Sequence, residues 1–279
     1  MKYLVINTKE DLEQACAYWK SKEVIGLDIE TASITLNPDG AFEPRKGRIS
    51  LIQISDGNKI IILDVIELLE NEGYNFKDYI VNGIVDFDKL SETFSIYDSL
   101  KDVLEDPRIV ITIHNAKFEH KWFYTHCGIL ITPMFCTFLA SQITEFNSNN
   151  DPKFAHNLAS VSRRKLGVDL DKTEQKSNWG IRPLSKEQYD YAALDPYYLP
   201  KLREIFMQDI DNDGLRATAT LEFDCIPAIA MPELGGTFVD KEQYKEEVVV
   251  LKKLREQAGN TLQAELSKTK PNKGVQASL

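Results

Sequence analysis

Long apolar runs are missing from this sequence: no stretch of about 18 hydrophobic residues occurs, so hydropathy offers no membrane-spanning helix. Cysteine is scarce. Cys16, Cys127, Cys136 and Cys225 are scattered without CxxC spacing, which excludes a thiolate zinc site and a disulfide framework and predicts reduced, packed thiols. Positive charge is also short, with 33 Lys and Arg against 43 Asp and Glu and a formal net charge of −10. A large basic surface that coats polyphosphate is therefore excluded, because such affinity rests on Lys and Arg. The first ten residues, MKYLVINTKE, lack the basic-then-apolar pattern of a signal peptide, and a cytoplasmic location is expected. Internal repeats and low-complexity segments are absent. What remains, 279 residues with 43% hydrophobic content, suits one good-sized domain with an appendage.

The stretch VIGLDIETAS, residues 24 to 33, places two carboxylates one residue apart in a strand pattern. Alternation puts Val24, Gly26, Asp28 and Glu30 on one face and Ile25, Leu27 and Ile29 on the other. Adjacent acids repel and are poor strand formers, so a cation or solvent must compensate them. Two readings follow: the wetted face of an edge strand, or half of a divalent-metal site. An acidic pocket holding such ions can bind a phosphodiester locally although the whole surface is negative.

Thr8 with Asp11 marks a helix start, and Leu12, Ala15, Cys16 and Trp19 follow at helical spacing. Residues 48 to 55 and 59 to 65 flank an Asp-Gly-Asn turn and predict a hairpin that extends the acidic strand into an antiparallel meander. Residues 67 to 97 read as an insertion with partial helix. SLKDVLEDP then gives a short helix stopped by Pro107, and RIVITIH a central β-branched strand. Helices are expected at 116 to 126, 135 to 145, 154 to 166 and 186 to 206, the last opened by a Ser185 to Gln188 capping box. This order predicts an α/β fold, a mixed sheet flanked by helices. DIDNDG, residues 209 to 214, suggests a boundary between a domain over 1–207 and a helical extension over 208–279, whose last dozen residues are expected to be disordered.

Two further motifs supply acids. HNAKFEHKW follows the central strand, with Asn115 and Glu119 four apart and read as sharing a helix face, and YAALD on the late helix sets Tyr191 four before Asp195. Taken alone, Glu119 reads first as a solvated helix residue and only second as a ligand. In order, DxE, NxxxE and YxxxD in a mixed-sheet frame resemble the DEDD exonucleases of the ribonuclease H-like superfamily, in the subclass whose third motif carries a tyrosine. Within it the likeness is to the 3′-5′ proofreading domain of family A DNA polymerases and to the ribonuclease D group. It covers residues 1 to about 207, and LDKTEQKSNWGIRPLSKEQYDYAALD is its most specific stretch.

The resemblance implies that Asp28, Glu30, Glu119 and Asp195 ligate two Mg²⁺ or Mn²⁺ ions, hard cations that take oxygen ligands. Asp28 would bridge both ions, Glu30 and Asp195 would serve the ion carrying the attacking water, and Glu119 the second ion. Tyr191 would orient that water. Thr31 and Asn115 are the matching substrate contacts. Two positions depart from the pattern: Glu119 stands where Asp is usual, and Pro196 inside the helix removes a hydrogen bond to the Ala192 carbonyl, predicting a kink. Arg163, Arg164 and Lys165, with Lys172 and Lys176, form the notable basic cluster, either a solvated helix face or a contact for strand phosphates. Trp179 is either a core residue or a base-stacking one. His114, His120, His126 and His156 are read as surface or supporting residues without a ligand role.

The expected function is a 3′-5′ exonuclease acting on single-stranded or frayed DNA, with a proofreading role as one setting. The alternatives are a ribonuclease D-like RNA exonuclease and a catalytically weak binding module of a split family A polymerase. The expected partners are a nucleic-acid 3′ end, DNA ahead of RNA, and a separate polymerase subunit, with no membrane. Residues 208 to 279 resemble the segment linking exonuclease to polymerase, so their two helices are expected to pack on the exonuclease domain or on a polymerase chain.

Overall fold

The computed structural model describes residues 2–145 and 155–268. Of the dozen residues expected to be disordered, Lys268 ends a helix, and the remainder, with the first residue of the helix expected at 154, lie outside the described residues. Six strands make one mixed sheet in the order β1 (Leu4–Ile6), β4 (Ile60–Asp64), β3 (Gly47–Ser55), β2 (Val24–Ser33), β7 (Val110–Ile113) and β8 (Met134–Cys136). β2, β3 and β4 form the antiparallel meander, whereas β1 on β4 and β7 and β8 beyond β2 run parallel. A short ribbon, β5 (Ile80–Val81) with β6 (Ile84–Val85), lies in the insertion after α2 (Val65–Asn71). The acidic strand is thus internal, and the edge-strand reading is overturned. It is held between β3 and β7 because its apolar face, Ile25, Leu27 and Ile29, is needed in the core.

Alternation assigns each face of the sheet its cover. On one side Ile25, Leu27, Ile52, Ile54, Ile61 and Leu63 pack with α1 (Lys9–Trp19), α4 (Asp98–Leu104) and α5 (Lys117–Cys127). α1 follows its sequence signature: the Thr8 side chain accepts the Asp11 N–H, and Leu12, Ala15, Cys16 and Trp19 are the buried residues. On the other side Leu51, Ile60 and Ile62 meet Tyr191, Ala192 and Ala193 of α8 (Lys186–Asn212). α8 carries the predicted capping box and runs on through Pro196 and Pro200. α3 (Phe87–Leu90), α6 (Thr137–Thr144) and α7 (Leu158–Leu166) complete the layers.

Two expectations change, and one strand is new. Residues 134–136 are a strand, β8, before α6, where the sequence predicts one helix from 135. Its Phe135 and Cys136 are buried against β7 and the helices, and that packing outweighs local helical spacing. β1, too short for a period, has no sequence signal. The first compact unit runs to Leu234, past the boundary at 207, because α9 (Arg216–Gly235) buries Ala219, Ile226 and Ala230 and packs Phe223 on Phe135, ring centroids 4.9 Å apart and planes tilted by 55°. The second unit, Gly235–Leu279, contains α10 (Lys241–Lys268), which has no buried residue among those described. No described helix is long and apolar enough to cross a membrane.

Candidate active site

Pairing between β2 and β7 is parallel and ends at Gly26 with Thr112. Asp28 and Glu30 therefore extend along β2 past the carboxyl end of β7, where a crevice opens in α/β sheets. A register shift between β2 and β3 follows directly, with Glu30 opposite Leu51 and Thr31 opposite Ile49, leaving Ser50 as the extra residue. Such bulges re-aim side chains beside functional sites. Here Ser50 Oγ donates to the Trp179 carbonyl (2.6 Å), tying the loop before α8 to the sheet. Arg182 secures the same loop through two bonds to buried Asp64 (2.6 and 2.7 Å), and Arg48 donates to the Gly180 carbonyl (3.0 Å).

α8 reaches the acidic strand because Gly26 has no side chain. A Cβ there would lie 2.3 Å from the Pro196 carbonyl oxygen and 3.0 Å from Leu199 Cβ and Pro200 Cδ. Glycine permits this close approach, which sets Asp195 and Tyr191 over Asp28 and Glu30. Glu119 comes from the first turn of α5.

The electrostatics show that these side chains share one space. Burial, then the charge of Asp195, pushes the Asp28 carboxyl up to about 8, against the opposing pull of Lys172. Glu30 is raised well above its ordinary range by burial, then by Asp28 and Asp195, with a contribution from Glu119. Glu119 is raised by burial and by Asp28, and its Oε2 is buried without a hydrogen-bond partner. Asp195 is raised by burial and held back by Lys172, whose Nζ sits 2.7 and 3.0 Å from its two oxygens. The Tyr191 phenol is raised by burial and then by Asp195, Glu30 and Asp28.

Among the described residues no three His, Cys, Asp or Glu side chains are drawn close enough to hold one ion as they stand. The donor set still fits a hard divalent cation. It is made of oxygens alone, it is buried and mutually repelling, one oxygen lacks a partner, and the Lys172 ammonium already takes a cation's part.

The remaining predicted residues fall in different places. Thr31 is half-buried, its Oγ1 donates to the Ala41 carbonyl (2.6 Å), and it lines a cleft of about 320 Å³ with Ala32, Thr35, Lys176, Asn178 and Trp179. Asn115 does not share a helix face with Glu119: it precedes α5 in the left-handed region (φ +66°), exposed, with its carbonyl accepting the Phe118 N–H. Each residue of the basic cluster on α7 carries an acidic partner, Arg163 at the exposed surface. Arg164 pairs with Glu145 (2.6 Å), Lys165 with Asp209 (2.8 Å) and Glu145 (3.2 Å), and Arg163 with Asp169. Only the outlying Lys172 of that cluster is paired with a site acid.

His120 and His126 are buried rather than superficial; His126 bonds the Pro44 carbonyl (3.0 Å) and stacks on Phe76. His114 Nδ1 meets Thr137 Oγ1 (2.9 Å), and burial, then Lys172, lowers its pKa to about 3. It is a neutral packing group. His156 Nδ1 lies 2.9 Å from Ser141 Oγ. Trp179 is a core residue, its ring 6.0 Å from that of Tyr191. Gly26 and the Lys172 contact are missed by the sequence reading, although a glycine inside a strand pattern does signal close backbone approach.

Comparison with known proteins bears on family and fold. Ribonuclease D of Musicola paradisiaca is 25% identical over 214 residues, 77% of this chain and 46% of that protein. DNA polymerase I of Aquifex aeolicus is 26% identical over 243 residues, 84% of this chain and 34% of the polymerase. The crystal structure of Escherichia coli RNase D, an exoribonuclease involved in structured RNA processing, superposes with a TM-score of 0.62 at 23% identity, covering 86% of this chain and 52% of that one. The chain spans about half the length of the ribonuclease D relatives it matches. A 3′-5′ exonuclease family matches residues 3–211. On that match, over most of its length, the chain belongs to the 3′-5′ exonuclease family of the DEDD group, ribonuclease H-like superfamily.

Proposed function

We propose that this chain removes nucleotides one at a time from a single-stranded 3′ end, with Asp28, Glu30, Glu119 and Asp195 as the metal-holding acids. The observation that carries the reading is the convergence of acids from β2, α5 and α8 on one buried space at the carboxyl end of β7. These carboxylates would hold a pair of Mg²⁺ or Mn²⁺ ions, which supply Lewis acidity for activating water and stabilising the leaving 3′ oxygen.

What the chain itself does is narrower. Tyr191, its phenol held protonated by burial and then by the surrounding carboxylates, orients a water or a phosphate oxygen by hydrogen bonding and does not act as a base at neutral pH. The bulge at Ser50 and the anchors at Arg48 and Arg182 hold the loop that walls the cleft beside Thr31, where the terminal nucleotide would lie. Trp179 supports Tyr191 from the core side.

The sequence reading puts DNA ahead of RNA. The recurrence of ribonuclease D among the relatives favours RNA 3′ ends, and the likeness to a DNA polymerase I over 84% of this chain keeps DNA as the second reading. Matched 5′-labelled RNA and DNA oligonucleotides, each with Mg²⁺ or Mn²⁺, separate the two. A ladder shortening from the 3′ end on RNA first is the expected result. Cleavage of DNA alone would reverse the order, and internal cleavage of either would overturn the exonuclease reading.

A further inference from the structure

Lys172 sits where a cation belongs. Its ammonium engages both oxygens of Asp195, and its charge acts on Asp28 and Glu30 as well. It also lies 5.2 Å from the centre of the Tyr191 ring. The lysine therefore stands against Asp195 and Tyr191, with its charge reaching Asp28 and Glu30. It comes from the α7 to α8 loop, just before a 3-10 turn over Thr173–Lys176, and no strand or helix fixes its backbone. The segment is pinned on either side, by buried Leu170 and by Gln188 Nε2 donating to Ser177 Oγ (2.8 Å). Between those pins, Asp171 accepting the Thr173 N–H (2.9 Å) is a local tie.

Two further observations make the contact more than a structural ion pair. Among the described residues no three acids close on one ion, and the cation held against Asp195 is the Lys172 ammonium. Glu119 Oε2 meanwhile is buried with no partner, a ligand without its cation. A buried carboxylate set needs compensating positive charge to stay ionised, and one ammonium meets only part of that need.

We propose that Lys172 is the resident counter-ion of the acid cluster, and that a divalent cation enters by displacing its ammonium from Asp195. Occupancy of the metal site and the position of residues 171 to 176 are then one coupled event. A doubly charged ion offers the four acids more charge than the lysine does, and the loop lets the ammonium leave without unfolding a helix. The inference rests on the exonuclease reading of the site and concerns how that site is filled.

Mn²⁺ titration calorimetry on the full chain at pH 8, without nucleic acid, tests it. Lys172→Met removes the competitor and is expected to bind Mn²⁺ at least tenfold more tightly than wild type, while Lys201→Met, which removes an exposed charge paired with Glu204, stays within twofold. Equal or weaker affinity in Lys172→Met overturns the proposal. A second measurement needs no variant: reductive methylation of the wild type, read by peptide mass spectrometry, should label Lys172 several-fold faster in saturating Mn²⁺ than in chelator. An unchanged labelling rate overturns the exchange even if the variant fails to fold. Oligonucleotide hydrolysis by the wild type separates this failure from failure of the parent reading: a chain that hydrolyses without exchange loses only the proposal, and one that exchanges without hydrolysis loses only the exonuclease.

Discussion

Replacing Gly26 with alanine tests whether α8 owes its placement to the missing side chain. The new Cβ would lie 2.3 Å from the Pro196 carbonyl oxygen. Even a weak C–H···O contact needs about 3.3 Å, so helix and strand must separate by about 1 Å. Contacts of 3.0 Å to Leu199 Cβ and Pro200 Cδ block escape along the helix. Overpacking of this kind costs about 1–3 kcal/mol, which lowers Tm by roughly 2–4 °C per kcal/mol for a unit of this size. Asp195 and Tyr191 ride on the same stretch of α8, and a misplacement of about 1 Å is enough to cost roughly 100-fold in turnover. Thermal unfolding and single-turnover hydrolysis of a labelled oligonucleotide read the two effects, with Gly259→Ala, which meets nothing within 4 Å, as the neutral control. A Gly26→Ala chain with wild-type Tm and turnover would refute the reasoning. Lost stability with full turnover would show that α8 placement does not set the site.

Tyr191→Phe should lower turnover by about 10- to 1,000-fold while leaving Mn²⁺ affinity nearly intact, as loss of one positioning group does; unchanged turnover removes Tyr191 from the mechanism. Glu119→Asp should keep activity and Glu119→Ala should lose most of it, and equal rates for both and wild type would make Glu119 a bystander. In chelator, the folded chain holds more protons on Asp28 than the unfolded chain between its ordinary pKa of 3.8 and about 8, so stability should fall as pH rises through that window. Tm measured from pH 5 to 8 should decline less steeply in Asp28→Asn, and identical slopes would contradict the raised Asp28 pKa.

Where cap, period and turn coincide, the sequence is legible. α1 has Thr8, Asp11 and a full apolar stripe, and the meander has alternating strands around Asp56 and Gly57, so both emerge with near-correct ends. The five motif residues are legible as a set because their spacing and order are unusual together. β8 is not: Met134, Phe135 and Cys136 run into a helix whose period absorbs them, and only pairing with β7 makes them a strand. Tertiary partners are equally silent. Nothing local says that Arg164 and Lys165 are spent on Glu145 and Asp209, or that Lys172 crosses to Asp195. Nor does a boundary drawn from polar DIDNDG foresee that Phe223 and Ile226 of the next helix are needed by the core.

Hydrolysis of a 5′-labelled single strand, followed by gel for wild type and Asp28→Ala in Mn²⁺ and in chelator, tests the central claim most directly. The account predicts a 3′-shortening ladder for the wild type with Mn²⁺ alone, and a loss of several orders of magnitude in Asp28→Ala with its circular dichroism unchanged. Hydrolysis that persists in chelator, or in a folded Asp28→Ala chain, would contradict it.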